Sequence, residues 1–581
     1  MLQRIRQLGR DFALIARPYW HSEEKWIARW LLAGIVVLNL IVVGTSIMFT
    51  IWQGAFFNSL EQRNWSDLIA LLFWWRYSPT EGFAPSFTLT AAIFVPATVY
   101  SNYLLQALQI RWRKWHTENS TGRWLEGRTY YLIELQRRDT DNPDQRISED
   151  IRMFVEHSLA LGVSLLASVV TLISYFAVLW ALSGPIQLFG PAVPGSLVWV
   201  AFGYAIVGTV ATHIIGRRLI DAQFQQQRVE ADFRFSLMRV RENAESIAFH
   251  EGEAAEQRCF QERFTFIAGN WRDIMNCTRN LTFLTASLGQ FALVFPLALV
   301  APAYFEGSIP LGGIFQTSNA FFQTQNALSW IVVNYPRITE WAATVERLAK
   351  FERAVTAMLS EKAGPMLAPS SDSTMRSTDL QLALPNGGTL LTKADFEIPK
   401  GDRLLLAGPS GAGKSTLLRA LVGIWPFGSG RIERPAGKRL FLPQNPYLPV
   451  GTLKRSLCYP MPEEGFSDDA VREVLGKVDL RHLAGELALT DEWSKRLSRG
   501  EQQRIAFARV LLIRPDWIFL DEATASLDAA SERRLYELIA AELPDASVVS
   551  VAHRAEVAGY CNRQAYLHQN ELRWSVAKVP A

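Results

Sequence analysis

Sixty consecutive residues, His157 to Gly216, contain no Asp, Glu, Lys or Arg. No soluble surface runs that far without a charge, since about a quarter of the residues of an ordinary globular domain are charged. The solvent that accepts such a stretch is hydrocarbon about 30 Å thick, which roughly 20 helical residues cross. The run is longer than one crossing needs, and "SGPIQLFGPAVPGS" in its middle supplies the Pro and Gly breaks that divide it into two spans joined by a short turn. Apolar stretches of spanning length recur on both sides. The pattern predicts six transmembrane helices, near 31–52, 84–108, 158–182, 196–216, 281–304 and 309–333. "LIALLFWW" (68–75) is too short to span and is expected at the membrane interface.

The connections alternate in charge. Six Lys or Arg precede the first span, two follow it, nine lie between the second and third, none in the next turn, ten between the fourth and fifth, and none between the last two. By the positive-inside rule this puts both termini and the two long loops in the cytoplasm. Trp20, Trp26, Trp30, Trp52, Trp112 and Trp115 stand near span ends, where indoles anchor at the interface. The first apolar run begins after residue 30 and is full spanning length, which argues against a cleaved signal peptide. The net charge is only +3 and the basic residues lie between apolar spans, so no nucleic-acid partner is expected. The four cysteines form no CxxC pair and read as reduced thiols.

After the sixth span the composition changes. Residues 1–360 read as the transmembrane domain, 361–377 ("EKAGPMLAPSSDSTMRS") as a Ser/Pro/Gly linker, and 378–581 as a soluble α/β domain in which strand-like runs alternate with helices. There "GPSGAGKST" fits the phosphate-loop pattern G-x-x-x-x-G-K-[ST], between the apolar strand "RLLLA" and a helix. The loop Gly408, Pro409, Ser410, Gly411, Ala412, Gly413, with Thr416 beyond it, is expected to wrap the phosphates of ATP with its backbone N–H groups, all but Pro409 supplying one; Lys414 would reach the β- and γ-phosphates and Ser415 would ligate Mg²⁺. "WIFLDE" is a strand ending in two acids, Asp521 for the Mg²⁺ shell and Glu522 to orient or deprotonate the attacking water. "LSRGEQQR" opens a second helix N-terminus, with Ser498 as cap, Gly500 allowing close approach and Glu501 behind it. One chain already wraps its nucleotide with the first loop. The second end therefore faces outward, and the useful geometry is two copies head to tail, each capping the other's ATP.

In order, these motifs, with Gln444 in "FLPQNP", "ASLD" ending at Asp528 and His553 in "SVAHR", resemble the nucleotide-binding domain of ABC transporters. The resemblance implies that Gln444 senses Mg²⁺ and couples to the membrane domain, that Asp528 works across the dimer interface, and that His553 contacts the γ-phosphate. It further implies a fold class: a membrane α-helical bundle of the type IV, exporter-type ABC fold followed by an α/β P-loop ATPase domain. "NPDQRISED" (142–150), "FRFSLMRVRENAESIAFHEGE" (233–253) and "GTLKRSLCYP" (451–460) are similar to segments of the D subfamily of peroxisomal fatty-acyl half-transporters and of fused relatives of the SbmA/BacA peptide transporters.

Two departures stand out: Arg499 occupies a signature position where the family usually has Gly, and "LQLALPNGGTLL" offers no aromatic residue to stack on adenine. In the sixth span Gln316, Asn319, Gln323 and Asn326 share one helical face, which predicts either interhelical hydrogen bonds or the lining of a hydrated path. The expectation is an ATP-driven homodimeric transporter in a bacterial inner membrane, moving peptides, cobalamin-like or other bulky polar solutes. The alternatives are a fatty-acyl or lipid transporter in a peroxisomal membrane and a membrane-anchored regulatory ATPase without cargo.

Overall fold

A computed structural model describes residues 2–78, 82–136, 142–183, 195–360, 364–552 and 554–576. The chain divides into two units, residues 1–123 with 140–354, and 124–139 with 355–581. The helices are Leu2–Trp20 (α1), Lys25–Glu61 (α2), Trp65–Phe73 (α3), Phe87–Leu125 (α4), Thr129–Gln136 (α5), Pro143–Gln145 (α6), Ile151–Leu182 (α7), Ser196–Glu242 (α8), Ala244–Phe249 (α9), Glu253–Phe305 (α10), Leu311–Leu328 (α11) and Trp330–Ser360 (α12). A short hairpin, Arg76–Ser78 (β1) with Gly82–Ala84 (β2), separates α3 from α4.

Five of these helices are long and apolar enough to cross a bilayer: α2, α4 continued to residue 135, the helix ending at Leu182, α8 and α10. The expected sixth span falls on α11 and the start of α12, and its amide residues keep α11 below that hydropathy. Yet α11 packs into the bundle against α2, α7, α8 and α10, with Ala320 and Phe321 fully buried. Asn319 Nδ2 donates to Thr50 Oγ1 (3.1 Å) and Gln53 Oε1 (3.2 Å) of α2, and Thr50 in turn meets the Tyr175 hydroxyl of α7 (3.0 Å). This member of the amide stripe is interhelical glue; Asn326, at the far end, is exposed. Helix α3 exposes Trp65, Phe73 and the following Trp74 and Trp75 while burying only Leu71.

Small residues set the closest approach in the bundle. A Cβ at Gly312 would stand 2.0 Å from the Gly54 carbonyl oxygen, and the Gly312 and Leu311 amides, orphaned at the start of α11, donate to Asn58 Oδ1 (2.8 Å) and Glu61 Oε2 (2.9 Å) of α2. Gly312→Val is therefore expected to force these two helices apart and cost about 3 kcal/mol or more. The check is the thermal midpoint in detergent; an unchanged midpoint would remove this contact from the packing that matters.

Asp150, which ends the "NPDQRISED" segment, is buried and paired bidentately with Arg347 of α12 (2.9 and 2.7 Å) and with Arg146 (2.8 Å). Two further carboxylate–arginine pairs, Asp11 with Arg353 and Glu352 with Arg123, tie α1 and α4 to α12. The charge of that segment thus serves packing within the helical unit.

Among the described residues the second unit holds three sheets, of six, four and two strands. Their strands are Met366–Pro369 (β3), Met375–Ala383 (β4), Thr389–Ile398 (β5), Arg403–Ala407 (β6), Gly428–Arg434 (β7), Arg439–Leu442 (β8), Gly451–Thr452 (β9), Thr490–Asp491 (β10), Trp517–Asp521 (β11), Ser547–Val551 (β12), Arg563–His568 (β13) and Glu571–Val576 (β14). The six-stranded sheet runs β14-β13-β6-β12-β11-β8, parallel except for β14, and the four-stranded sheet runs β3-β7-β4-β5, with β4 antiparallel to both neighbours. Helices Lys414–Val422 (α13), Leu453–Cys458 (α14), Asp468–Lys477 (α15), Trp493–Arg496 (α16), Arg499–Ile513 (α17) and Ala529–Glu542 (α18) complete it. Strands β11 and β12 are buried at every position, as a sheet covered on both faces requires.

Two expected boundaries change. β3 lies inside the stretch read as a linker, paired in parallel with β7; Pro369 concealed it, but an edge strand tolerates a residue that cannot donate. Residues 124–136, read as membrane-domain loop, belong to the ATPase unit: Arg128 Nη1 donates to the Gly423 carbonyl at the end of α13 (3.0 Å). A carbonyl at a helix C-terminus has no intrahelical partner, and a guanidinium there also suits the dipole.

Candidate nucleotide site

The sheet's parallel order brings β6 and β11 to either side of β12, so both strands end at the same edge. The loop after β6 needs its glycines. Gly408, Gly411 and Gly413 have φ of 144°, 80° and 100°, and a Cβ on Gly408 would stand 2.3 Å from the Leu567 carbonyl oxygen. Gly413 caps α13, whose first residue is Lys414. Lys414 is buried, and its ammonium donates to the Gly408 and Pro409 carbonyls (2.8 and 2.9 Å), so it sits within the loop, as a phosphate-reaching lysine must. Pro409 and Ser410 are exposed at the tip, while Ala412, Ser415 and Thr416 are half-buried.

Ser415 Oγ donates to Asp521 Oδ1 (2.6 Å), joining the helix after the first loop to the end of β11. Two hard oxygens at this separation fit Mg²⁺, which takes one or two carboxylates, a hydroxyl and phosphate oxygens. Glu522 follows with φ of 51°, held by its N–H bond to the Val551 carbonyl (3.0 Å). A non-glycine residue in the left-handed region costs about 1–2 kcal/mol, and such strain collects where a site over-determines the backbone.

The signature helix α17 begins in a capping box. Glu501 N donates to Ser498 Oγ (3.3 Å), and Ser498 N donates to Glu501 Oε2 (2.9 Å). Burial pushes the Glu501 carboxyl up, but hydrogen bonds from Ser498 and His482 outweigh it and leave it below the usual range. Ser498 and Arg499 are exposed and Gly500 half-buried, whereas the helix's other face is buried. Asp528 caps α18, accepting from Ser531 N (2.7 Å) and Ser531 Oγ (3.1 Å); these bonds hold its carboxyl below the ordinary value. Arg504 of α17 donates to the same Ser531 hydroxyl (3.1 Å). Gln444 is exposed, and His553 lies outside the described residues.

A residue that the motif reading passed over ties α17 to two of these loops. Gln503 is 1% exposed; its Nε2 donates to the Gln444 carbonyl (3.0 Å) and its Oε1 accepts from Ser526 N (3.0 Å). The signal was present: Gln503, Phe507 and Val510 fall at i, i+4 and i+7, which places a lone amide on an apolar helical face. Arg509, further along α17, is buried and bonds the Ser456 and Tyr447 carbonyls (2.8 and 2.7 Å), and burial lowers its guanidinium to about 10.

Residues 15–305 match the family model for ABC transporter transmembrane region 2, and residues 391–525 match the family model described as ABC transporter. The inner membrane ABC transporter ATP-binding protein YddA of Escherichia coli is 32% identical over 95% of this chain and 96% of its own length. ABC transporter D family member 2 of Arabidopsis thaliana, a chloroplastic protein, is 31% identical over 99% of this chain and 89% of its own. The structure of a bacterial Atm1-family ABC exporter with ATP bound superposes with a TM-score of 0.73 over 94% of both chains at 17% identity, a likeness of fold. A phosphate loop, a strand-end acid pair and a capped signature helix in one unit, fused to a bundle of spanning helices, thus coincide with full-length similarity, and the chain belongs to the ABC transporter family, multi-pass membrane proteins that bind ATP and couple its hydrolysis to transport.

Proposed function

We propose that the chain is one half of a homodimeric transporter in which each of two ATP molecules is held between residues 408–416 of one copy and Ser498, Gly500 and Glu501 of the other. The exposure of the capped end of α17 carries this reading. A helix N-terminus offering free N–H groups and a serine hydroxyl is an anion site, and the phosphate loop of the same chain already has its own lysine and acids. Lys414 neutralises the β- and γ-phosphates. Ser415 and Asp521, with Gln444, would hold Mg²⁺, which supplies further charge neutralisation there. Glu522 orients the attacking water and accepts its proton; His553 steadies the γ-phosphate, and Asp528 acts across the same interface. ATP binds the closed dimer more tightly than the open one, so closure and reopening alternate access through the bundle.

The cargo we favour is a bulky polar solute such as a peptide or a corrinoid: no acidic or basic residue occupies the centre of an expected span, and the amides Gln316 and Gln323 share a helical face with Asn319 in α11. The membrane is a bacterial inner membrane, as for the Escherichia coli relative, with both termini cytoplasmic by the charge of the loops. The test is ATP-dependent flux in proteoliposomes, with ATPase stimulation screened against peptides, cobalamin and acyl-CoA. Stimulation by acyl-CoA alone would move the cargo to the fatty-acyl class. Turnover indifferent to every solute, without flux, would leave a regulatory ATPase.

A further inference from the structure

We propose that His482 is a positioning residue for the signature end: through Glu501 it fixes where Ser498 presents its hydroxyl to the nucleotide of the second copy. The inference rests on the composite-site reading above. Both oxygens of the Glu501 carboxylate are engaged. Oε2 accepts from Ser498 N (2.9 Å) and from Ser498 Oγ (2.8 Å), and Oε1 lies 3.0 Å from His482 Nε2, on a short turn nineteen residues upstream.

A serine hydroxyl has one proton. While that proton points at Glu501 it is unavailable to a phosphate, so recognition of the partner's nucleotide requires the hydroxyl to turn. Oε2 then keeps only the Ser498 amide, and the carboxylate, repelled by the incoming phosphate, would swing unless its other oxygen is held. His482 provides that hold as a donor, in the neutral tautomer protonated at Nε2 or as the cation. Its side chain is 58% exposed, and the adjacent Leu483 is the residue of this turn that is buried in the core. His482→Ala removes the hydrogen bond without opening a cavity.

The experiment is the ATP dependence of turnover by the purified full-length protein in lipid nanodiscs. Loss of a hydrogen bond to a charged group predicts that His482→Ala raises KM for ATP roughly tenfold, with kcat within about twofold. His482→Gln, whose amide can donate to the same oxygen, should return KM to within about twofold of the parent. In a Glu501→Ala background, His482→Ala should add nothing, because the two residues act as one unit. An unchanged KM in His482→Ala, equal loss in His482→Gln, or additive effects with Glu501→Ala would each overturn the proposal. Ser498→Ala separates the two levels. If it raises KM while His482→Ala does not, only the His482 role falls; if it leaves KM unchanged, the composite site falls and this inference with it.

Discussion

Glu522→Gln protein is expected to bind ATP as well as the parent, to turn it over about a thousandfold more slowly and to accumulate as a closed dimer. The glutamine keeps the shape and the strained left-handed backbone at the end of β11, while Lys414, proposed for the phosphates, and the Ser415–Asp521 pair, proposed for Mg²⁺, are untouched. What is lost is the carboxylate's capacity to take a proton from water, which in general base catalysis is worth about two to four powers of ten. Single-turnover hydrolysis measures the chemical step, and size-exclusion in ATP measures the closed state. Turnover within a few-fold of the parent would move the base elsewhere.

The second large effect separates one chain from two. Lys414→Ala alone and Ser498→Arg alone should each abolish turnover, since in either homodimer both composite sites carry a lesion. Mixed in equal amounts, the two proteins should regain roughly a quarter of parental activity, because a two-fold assembly at random pairing makes half its dimers mixed and each mixed dimer puts both lesions into one site, leaving the other whole. Lys414 is buried and bonded inside its own loop, whereas Ser498 is exposed, so the two substitutions act at separable places in the fold. Activity that stays at the level of the single variants would place both halves of the site in one chain.

Much of the architecture was legible because its causes are local. Spans follow from apolar length, the phosphate loop from glycine spacing between a strand and a helix, and the cap of α17 from Ser498 standing at its start. The amide stripe of α11 was equally visible, but whether it glued helices or lined a path depended on what lay opposite; α2 places Thr50 and Gln53 there for Asn319. β3 was hidden for the opposite reason, since its proline and serine neighbours carry loop chemistry and only pairing with β7 makes it a strand.

The amino-acid order by itself determined which segments are apolar enough to leave water, where the phosphate-loop motif stands and which acids end β11, for these depend on residues within a few positions of one another. The tertiary structure alone decided that residues 124–136 join the ATPase unit, that Gln503 links Gln444 to Ser526, and that His482 meets Glu501. Each of these contacts joins groups that no local periodicity relates. Chain topology brings them together, and for the buried amide of Gln503 the obligation of polar atoms to find partners adds to it.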